Sequence, residues 1–389
     1  MKSRYSKGIS INILLLGIVS FLNDFSSEMI NPILPMFITA LGGGGLIIGL
    51  IGGLRDSITS VLFIFSGFWS DKIGRRKIFV TSGYLTSAVF KLLLSFSMIW
   101  QHLLIFSGFE RVGKGLRNAP RDAIIADSMP KEKGKGFGIH RALDTSGAIL
   151  GSVVVFILFW FLKFGFNLII FSATIFAFIS LIPLNFVKER RMKIYDVNWK
   201  ISLKRFSSSF KLFIFVTAVF YLANFNYMFF ILKAQEVFIG TESVGVPILL
   251  YVLFNISYAT LAVPFGILSD KIGKRNVILC GYLLFSLTSL CFAFFDSLIA
   301  LIILFVLYGM VYAIIDGNQR AYVSDLTSEE IRATALGTFH MTIGLITLPA
   351  SLIAGFLWQF VAPNATFIYG SVISLFSVVL FLVLRNRFD

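Results

Sequence analysis

Charge is scarce in this chain: Asp, Glu, Lys and Arg together make up 14% of 389 residues. A soluble fold carries nearer ~25% charged residues, and a large share of its surface stays exposed whatever its size. The deficit argues against a soluble globular protein. Cysteine is scarcer still. Cys280 and Cys291 lie eleven residues apart on one predicted helix, a rise of ~16 Å, so they cannot bond to each other. His102, His140 and His340 show no ligand spacing, so no metal site is expected. The chain has no Gly-rich loop ending in Lys-Ser/Thr, which argues against ATP-driven pumping, and no nucleophile–base set that would make it an enzyme. No cofactor is expected.

Apolar residues are there in abundance. They make up 57% of the chain, Phe alone numbers 44, and the mean hydropathy is +0.86. Runs of about 20 residues, long enough to cross ~30 Å of hydrocarbon as helix, follow one another almost without pause. The pattern predicts twelve spans at roughly 9–41, 46–70, 78–98, 103–127, 136–162, 166–187, 209–239, 244–269, 277–295, 297–325, 333–360 and 365–384. The fold class expected is all-α, a membrane protein with twelve transmembrane helices. Although Met1–Lys7 is basic, no small-residue cleavage pattern follows it, so this region reads as the start of the first span rather than a leader.

With the N-terminus inside, roughly two thirds of the 34 Lys and Arg fall in cytoplasmic segments, while the external turns hold only Lys163. Both termini are therefore expected in the cytoplasm of a cell (plasma or inner) membrane. The formal charge of +14 reflects topology and attraction to lipid headgroups, not a nucleic-acid footprint. External turns such as Gly42–Gly45 and Trp100–His102 are short, so no outer domain is expected to hold a macromolecule. One substantial hydrophilic stretch, 188–208, reads as a cytoplasmic linker. Trp199, Ile201 and Leu203 give it the look of an amphipathic segment on the headgroups.

The string Gly67-Phe-Trp-Ser-Asp71-Lys-Ile-Gly74-Arg75-Arg76 recurs as Gly266-Ile-Leu-Ser-Asp270-Lys-Ile-Gly273-Lys274-Arg275, 199 positions later. Asp127 and Asp325, each closing the fourth span of its half, keep nearly the same offset. Two landmarks at one offset imply a duplicated chain: six spans in 1–187, the linker 188–208, and six spans in 209–389. Gly67 and Gly266 suit close helix approach; Gly74 and Gly273 suit a tight turn.

The doubled loop resembles the signature of the major facilitator superfamily between helices 2 and 3 and between helices 8 and 9. The likeness runs over essentially the whole chain. It implies two pseudo-symmetric six-helix bundles and alternating access. It also implies a cytoplasmic gate in which Asp71, Arg75, Arg76, Asp270, Lys274 and Arg275 meet acids at the inner ends of helices 4 and 10: Asp122 or Asp127, and Asp325. Arg111 with Gly115 resembles the helix-4 arginine motif, although Arg117 and Asn118 occupy positions that are usually small. Gly138, Gly147 and Gly151 resemble the helix-5 motif of antiporters and would form a groove against a neighbouring helix, but Ser152 stands where that motif has Pro.

Ionisable residues inside spans cost at least ~2.5–3.5 kcal/mol each on insertion scales, so each needs a partner, water or a task. Asp24 and Glu28 lie four apart on the first span and share a face. They are the candidates for carrying protons. Glu110, Lys114, Arg117 and Arg121 recur at helical spacing and form one stripe, suited to an aqueous path for anionic or zwitterionic groups. Asn23, Arg111, Lys114, Arg117, Asn224, Asn226, Lys233, Tyr312, Asp316 and Gln319 are the candidate cavity residues. His140, one turn from Asp144, reads as a structural partner. The cations and carboxylates also balance, so mutual pairing is the competing explanation for any one of them. The expectation is a monomeric, proton-coupled exporter of a small amphipathic or anionic organic compound. Uptake of a nutrient such as an organic acid or sugar is the alternative. A membrane sensor or scaffold of the same fold is the rival from another class.

Overall fold

The computed structural model describes residues 10–130, 132–189, 206–328 and 331–384. Among these residues there is no strand, and the helices group into twelve spans. The first span is broken into α1 (Ile11–Ile30) and α2 (Leu34–Ala40). Then come α3 (Gly45–Ile73), α4 (Arg76–Leu94), α5 (Trp100–Ser128), α6 (Lys133–Trp160), and α7 (Phe166–Ile179) continued by α8 (Leu181–Asn185). The seventh span is again broken, into α9 (Ser208–Ala223) and α10 (Met228–Val237). It is followed by α11 (Glu242–Ile272), α12 (Lys274–Phe294), α13 (Leu298–Asp325), α14 (Arg332–Phe360) and α15 (Pro363–Val383). Eleven of the spans are long and apolar enough to cross a bilayer by composition alone. The other is α5, whose inner half carries Glu110, Arg111, Lys114, Arg117, Arg121 and Asp122. The linker's proposed surface helix at Trp199–Leu203 lies outside the described residues.

The breaks matter most for function. Four non-helical residues, Asn224–Tyr227, separate α9 from α10. Irregular backbone at this depth is tolerated only where protein or a polar cavity satisfies it. Ser351 Oγ accepts from the Asn226 backbone N–H at 3.2 Å, and Asn226 Oδ1 accepts from the Met228 N–H at 3.1 Å. The freed peptide groups are thus tied to α14 and to the local chain.

Each repeated loop turns on its glycine. Gly74 has φ 70° and Gly273 has φ 91°, conformations that a side chain would strain. These loops mark one end of the bundle, called the basic end below. At the opposite end the two halves are in contact. A Cβ on Gly49 would run into the Ser351 carbonyl, and one on Gly355 would stand 2.5 Å from the Gly45 carbonyl oxygen. Gln359 also accepts from the Leu46 N–H at 3.0 Å. Beside them, Trp160 of α6 fills the space over Gly245 of α11. The close approach expected at Gly67 holds in part: its nearest neighbour is Ala119 Cβ, 3.3 Å from a built Cβ. Gly266 and Gly138, by contrast, have open space around them. Neither packs a helix; both line a cavity at the basic end. Gly147 and Gly151 do form a groove, pressed against the Phe21 and Phe25 carbonyls of α1.

Candidate transport site

Halfway along the helices, α3, α5, the α9–α10 break, α13 and α14 enclose a cavity of about 290 Å³. Asp56, Arg111 and Lys114 reach it from the first half; Asn224, Asn226, Tyr227 and Tyr312 reach it from the second. Asn226 Nδ2 donates to Asp56 Oδ2 at 2.7 Å. This bond joins the halves, and Gly52 permits it: a Cβ there would stand 2.7 Å from Asn226 Cγ.

Next to the cavity lies a buried charge cluster. Glu110, 3% exposed, holds Arg111 Nε at 3.1 Å and Arg55 Nη2 at 3.8 Å. Both guanidinium groups also donate to Asn31 Oδ1, at 3.0 Å from Arg55 and 3.2 Å from Arg111. Asn31 in turn donates to Glu28 Oε1 at 2.8 Å, while the other Glu28 oxygen accepts from Tyr251 Oη of α11 at 2.8 Å. The Asn31 carbonyl accepts from Tyr227 at 3.2 Å. The break after α1 therefore serves as a junction where charges of the first half meet tyrosines of the second. Four residues before Glu28, Asp24 lies within hydrogen-bonding reach of Asp144 on α6. Two carboxylates that close can share one proton.

A second, larger cavity of about 770 Å³ runs from mid-helix residues such as Ile149 and Tyr258 to Asp270 and Lys274 at the basic end. Arg141 pairs with Asp144 at 3.2 Å and donates to Tyr258 at 3.3 Å. Tyr258 donates to Asp316 at 2.7 Å, and Asp316 pairs with Arg320 at 2.6 Å. A polar chain thus crosses between the halves along this wall. Beyond it the α6 and α11 sides part around Gly138 and Gly266, while α3 and α14 stay packed toward the basic end, with Phe63 against His340 and Ile64 beside Gly337.

The structure brings five of the ten candidate cavity residues to the central cavity: Arg111, Lys114, Asn224, Asn226 and Tyr312. Asp316 lines the larger one. The remaining four lie elsewhere, which corrects the expectation. Arg117 turns away from the α5 stripe and stacks on Tyr84 at 4.3 Å, donating to Ser87 at 2.6 Å. Lys233 reaches towards the opposite end, to Asp296 at 2.8 Å and Asn364 at 3.1 Å. Gln319 is buried between Tyr221 and Tyr282, and Asn23 is buried with neither amide atom partnered. Sequence reasoning missed Asp56, Tyr221 and Tyr227 as lining residues. It also missed Lys91, a fully buried lysine whose ammonium meets Ser27 Oγ at 2.9 Å, Ser26 Oγ at 3.1 Å and the Asn23 carbonyl at 3.3 Å. A lone Lys in the third span was the available signal.

At the basic end each loop forms a triangle of one cation and two carboxylates. The cation comes from non-equivalent repeat positions, since Lys274 is the counterpart of Arg75 and Arg76 that of Arg275. Arg76 pairs with Asp71 at 2.8 Å and Asp127 at 2.6 Å; Lys274 pairs with Asp270 at 3.9 Å and Asp325 at 2.7 Å. Of the two acids open at the end of α5, Asp127 is the loop's partner, because Asp122 is taken by Arg121 at 2.9 Å. Arg75 is exposed. His140 bonds Ser20 at 2.7 Å, and no group of His, Cys, Asp and Glu fit for a metal occurs among the described residues.

The Major Facilitator Superfamily model matches residues 16–239 and 213–389. The chain belongs to that family. It is 54% identical over 378 residues to an uncharacterized MFS-type transporter of Methanocaldococcus jannaschii, covering 96% of this chain and 95% of that one. A more distant likeness, 27% over 169 residues, is to the multidrug resistance protein MdtH of Shigella dysenteriae, covering 43% of this chain and 41% of that one. In fold it resembles the crystal structure of the nucleoside transporter NupG, with a TM-score of 0.74 at 16% identity over 97% of this chain and 99% of that one. The family membership makes the chain a multi-pass membrane transporter.

Proposed function

We propose that this transporter works by alternating access as a proton-coupled exporter of a small amphipathic or anionic organic compound. The basic end faces the cytoplasm and the chain acts as a monomer in the cell membrane. One observation carries the reading: a charged central cavity shared by both halves, with a second cavity between them at the basic end and close packing at the other. The basic residues of the loops support the orientation. The distant likeness to a multidrug resistance protein and the Gly147–Gly151 groove on α1 support the direction.

Asp24 and Glu28 carry the protons in this reading. A hydrogen bond to a charged carboxylate is roughly twice as strong as one between neutral groups. The Tyr251 bond to Glu28 therefore ties the halves firmly while Glu28 is ionised and loosens when a proton arrives. Asp24, beside Asp144, supplies the neighbouring acceptor. The Asp71–Arg76–Asp127 and Asp270–Lys274–Asp325 triangles lock loop to helix within each half and brace the helix ends that form the cytoplasmic gate.

Counterflow in proteoliposomes with a compound library tests transport, and an imposed pH gradient tests coupling. A proton-coupled exporter should move substrate uphill against proton flow, and lose this in Asp24→Asn and in Glu28→Gln. Movement in the same direction as protons would make the protein an importer. Unchanged gradient-driven transport in both variants would remove these carboxylates from coupling.

A further inference from the structure

Two opposite charges line the central cavity with no ion-pair contact, although Lys114 stands in the field of Asp24, and Asp56 in that of Arg111. Asp56 has no cation in ion-pairing distance among the described residues; its side-chain partner is the neutral Asn226 amide. Lys114 makes no hydrogen bond or ion pair with any described residue. Both side chains are only part-buried and open onto the same 290 Å³. Arg111 stands beside Lys114, its charge already shared with Glu110 and Asn31. On the other wall, Asn224 is 9% exposed and lines the cavity, with an Oδ1 that accepts no hydrogen bond. Leaving such an oxygen unsatisfied costs about 1–3 kcal/mol. An N–H donor from a ligand would satisfy it.

We infer that the substrate is a small zwitterion, its cationic N–H group taken by Asp56 and Asn224 and its anionic group by Lys114 and Arg111. This rests on the transporter reading above and narrows its substrate class. The cavity is at the lower end of the roughly 300–1,000 Å³ range of small-molecule sites, which fits a molecule of amino-acid size. Tyr227 and Tyr312 supply apolar faces for its body. Binding also acts on the interface, because an ammonium that engages Asp56 competes with the Asn226 bond joining the halves. A singly charged compound would leave either Asp56 or Lys114 without a counter-charge in contact.

The test uses the full-length protein in detergent, with thermal unfolding followed across matched trios. Each trio is an α-, β- or γ-amino acid, the amine lacking its carboxylate, and the acid lacking its amine; phenylalanine, phenethylamine and 3-phenylpropionate form one. The expected result is stabilisation by at least one amino acid, with both partners of its trio binding roughly tenfold to hundredfold more weakly. Asp56→Asn, which keeps an acceptor for Asn226, should erase the preference over the acid. Lys114→Gln should erase the preference over the amine. These ratios separate recognition from general damage, which would weaken all three compounds alike. The inference is overturned if no amino acid stabilises the protein, if an acid or amine binds as tightly as its amino acid, or if both variants keep the wild-type ratios. A singly charged compound that shows counterflow while every amino acid fails would leave the transporter reading standing and sink this one. Absence of counterflow with every compound would sink the transporter reading itself.

Discussion

Lys91 holds an ammonium against two serine hydroxyls and a backbone carbonyl, with no carboxylate in ion-pairing distance among the described residues. A buried ammonium with no carboxylate in contact is costly to desolvate. Lys91→Met should therefore leave the melting temperature of the purified protein unchanged or raised. A clear fall would show that the ammonium contributes net stability. Arg117 is the opposite case. It is 1% exposed, stacked on Tyr84 and bonded to Ser87. Arg117→Ala should destabilise by about 2–4 kcal/mol, from the lost stacking and hydrogen bond together. Arg117→Lys should not restore it, since an ammonium lacks the planar face. Denaturant unfolding in micelles measures both. At this scale the sequence was half legible. The spacing of the α5 charges located a polar face, but not which way each long side chain turns. Arg111 and Lys114 reach the cavity; Arg117, three residues on, finds an aromatic ring instead.

Among the helices, small residues decide where the halves can touch. Gly45, Gly49 and Gly53 recur every four residues on α3. Gly49 and Gly53 press on Ser351 and Leu348 of α14, while Gly45 meets Trp358 and Gly355. Small residues let membrane helices pack backbone to backbone. Gly49→Val should hold the opposite end apart. Cysteines at positions 44 and 359, in a background without Cys280 and Cys291, should cross-link in the parent protein and fail to do so with Gly49→Val, with transport lost. Efficient cross-linking in the variant would refute this packing. The gate offers a second test. Arg76→Ala removes the pairs to Asp71 and Asp127, and counterflow should fall at least about tenfold with expression retained, a loss of ~1.4 kcal/mol or more. The spans themselves were readable from apolar runs, and Pro32 marks the break at Asn31–Ile33, but the break at Asn224–Tyr227 has no such signal. The second depends on Ser351 and Asp56, far along the chain, to satisfy what the helix gives up. Local sequence carries no trace of those partners.

For the molecule as a whole, the doubled loop foretold the family, and the family model spans both halves. What it could not foretell was the state. The helices meet at the end bearing Gly45 and Trp358 and part at the end bearing Gly138 and Gly266. With the basic end in the cytoplasm, as proposed, the gap between α6 and α11 faces inward, while α3 and α14 stay packed. Orientation has its own check. A single cysteine placed beside Lys72 or Lys271 should react with an impermeant maleimide only when the cytoplasmic face is accessible, as the positive-inside rule requires. Labelling from outside intact cells would reverse the assignment.

Alternating access requires the two halves to rock around the cavity, closing one end as the other opens. Spin-label pairs at positions 138 and 266, and at 44 and 359, read the two ends separately through their distance distributions. Opposed shifts are expected: as substrate or a change of pH shortens the first distance, the second lengthens. Distances that stay fixed under every condition, or that change in the same sense at both ends, would rule out rocking.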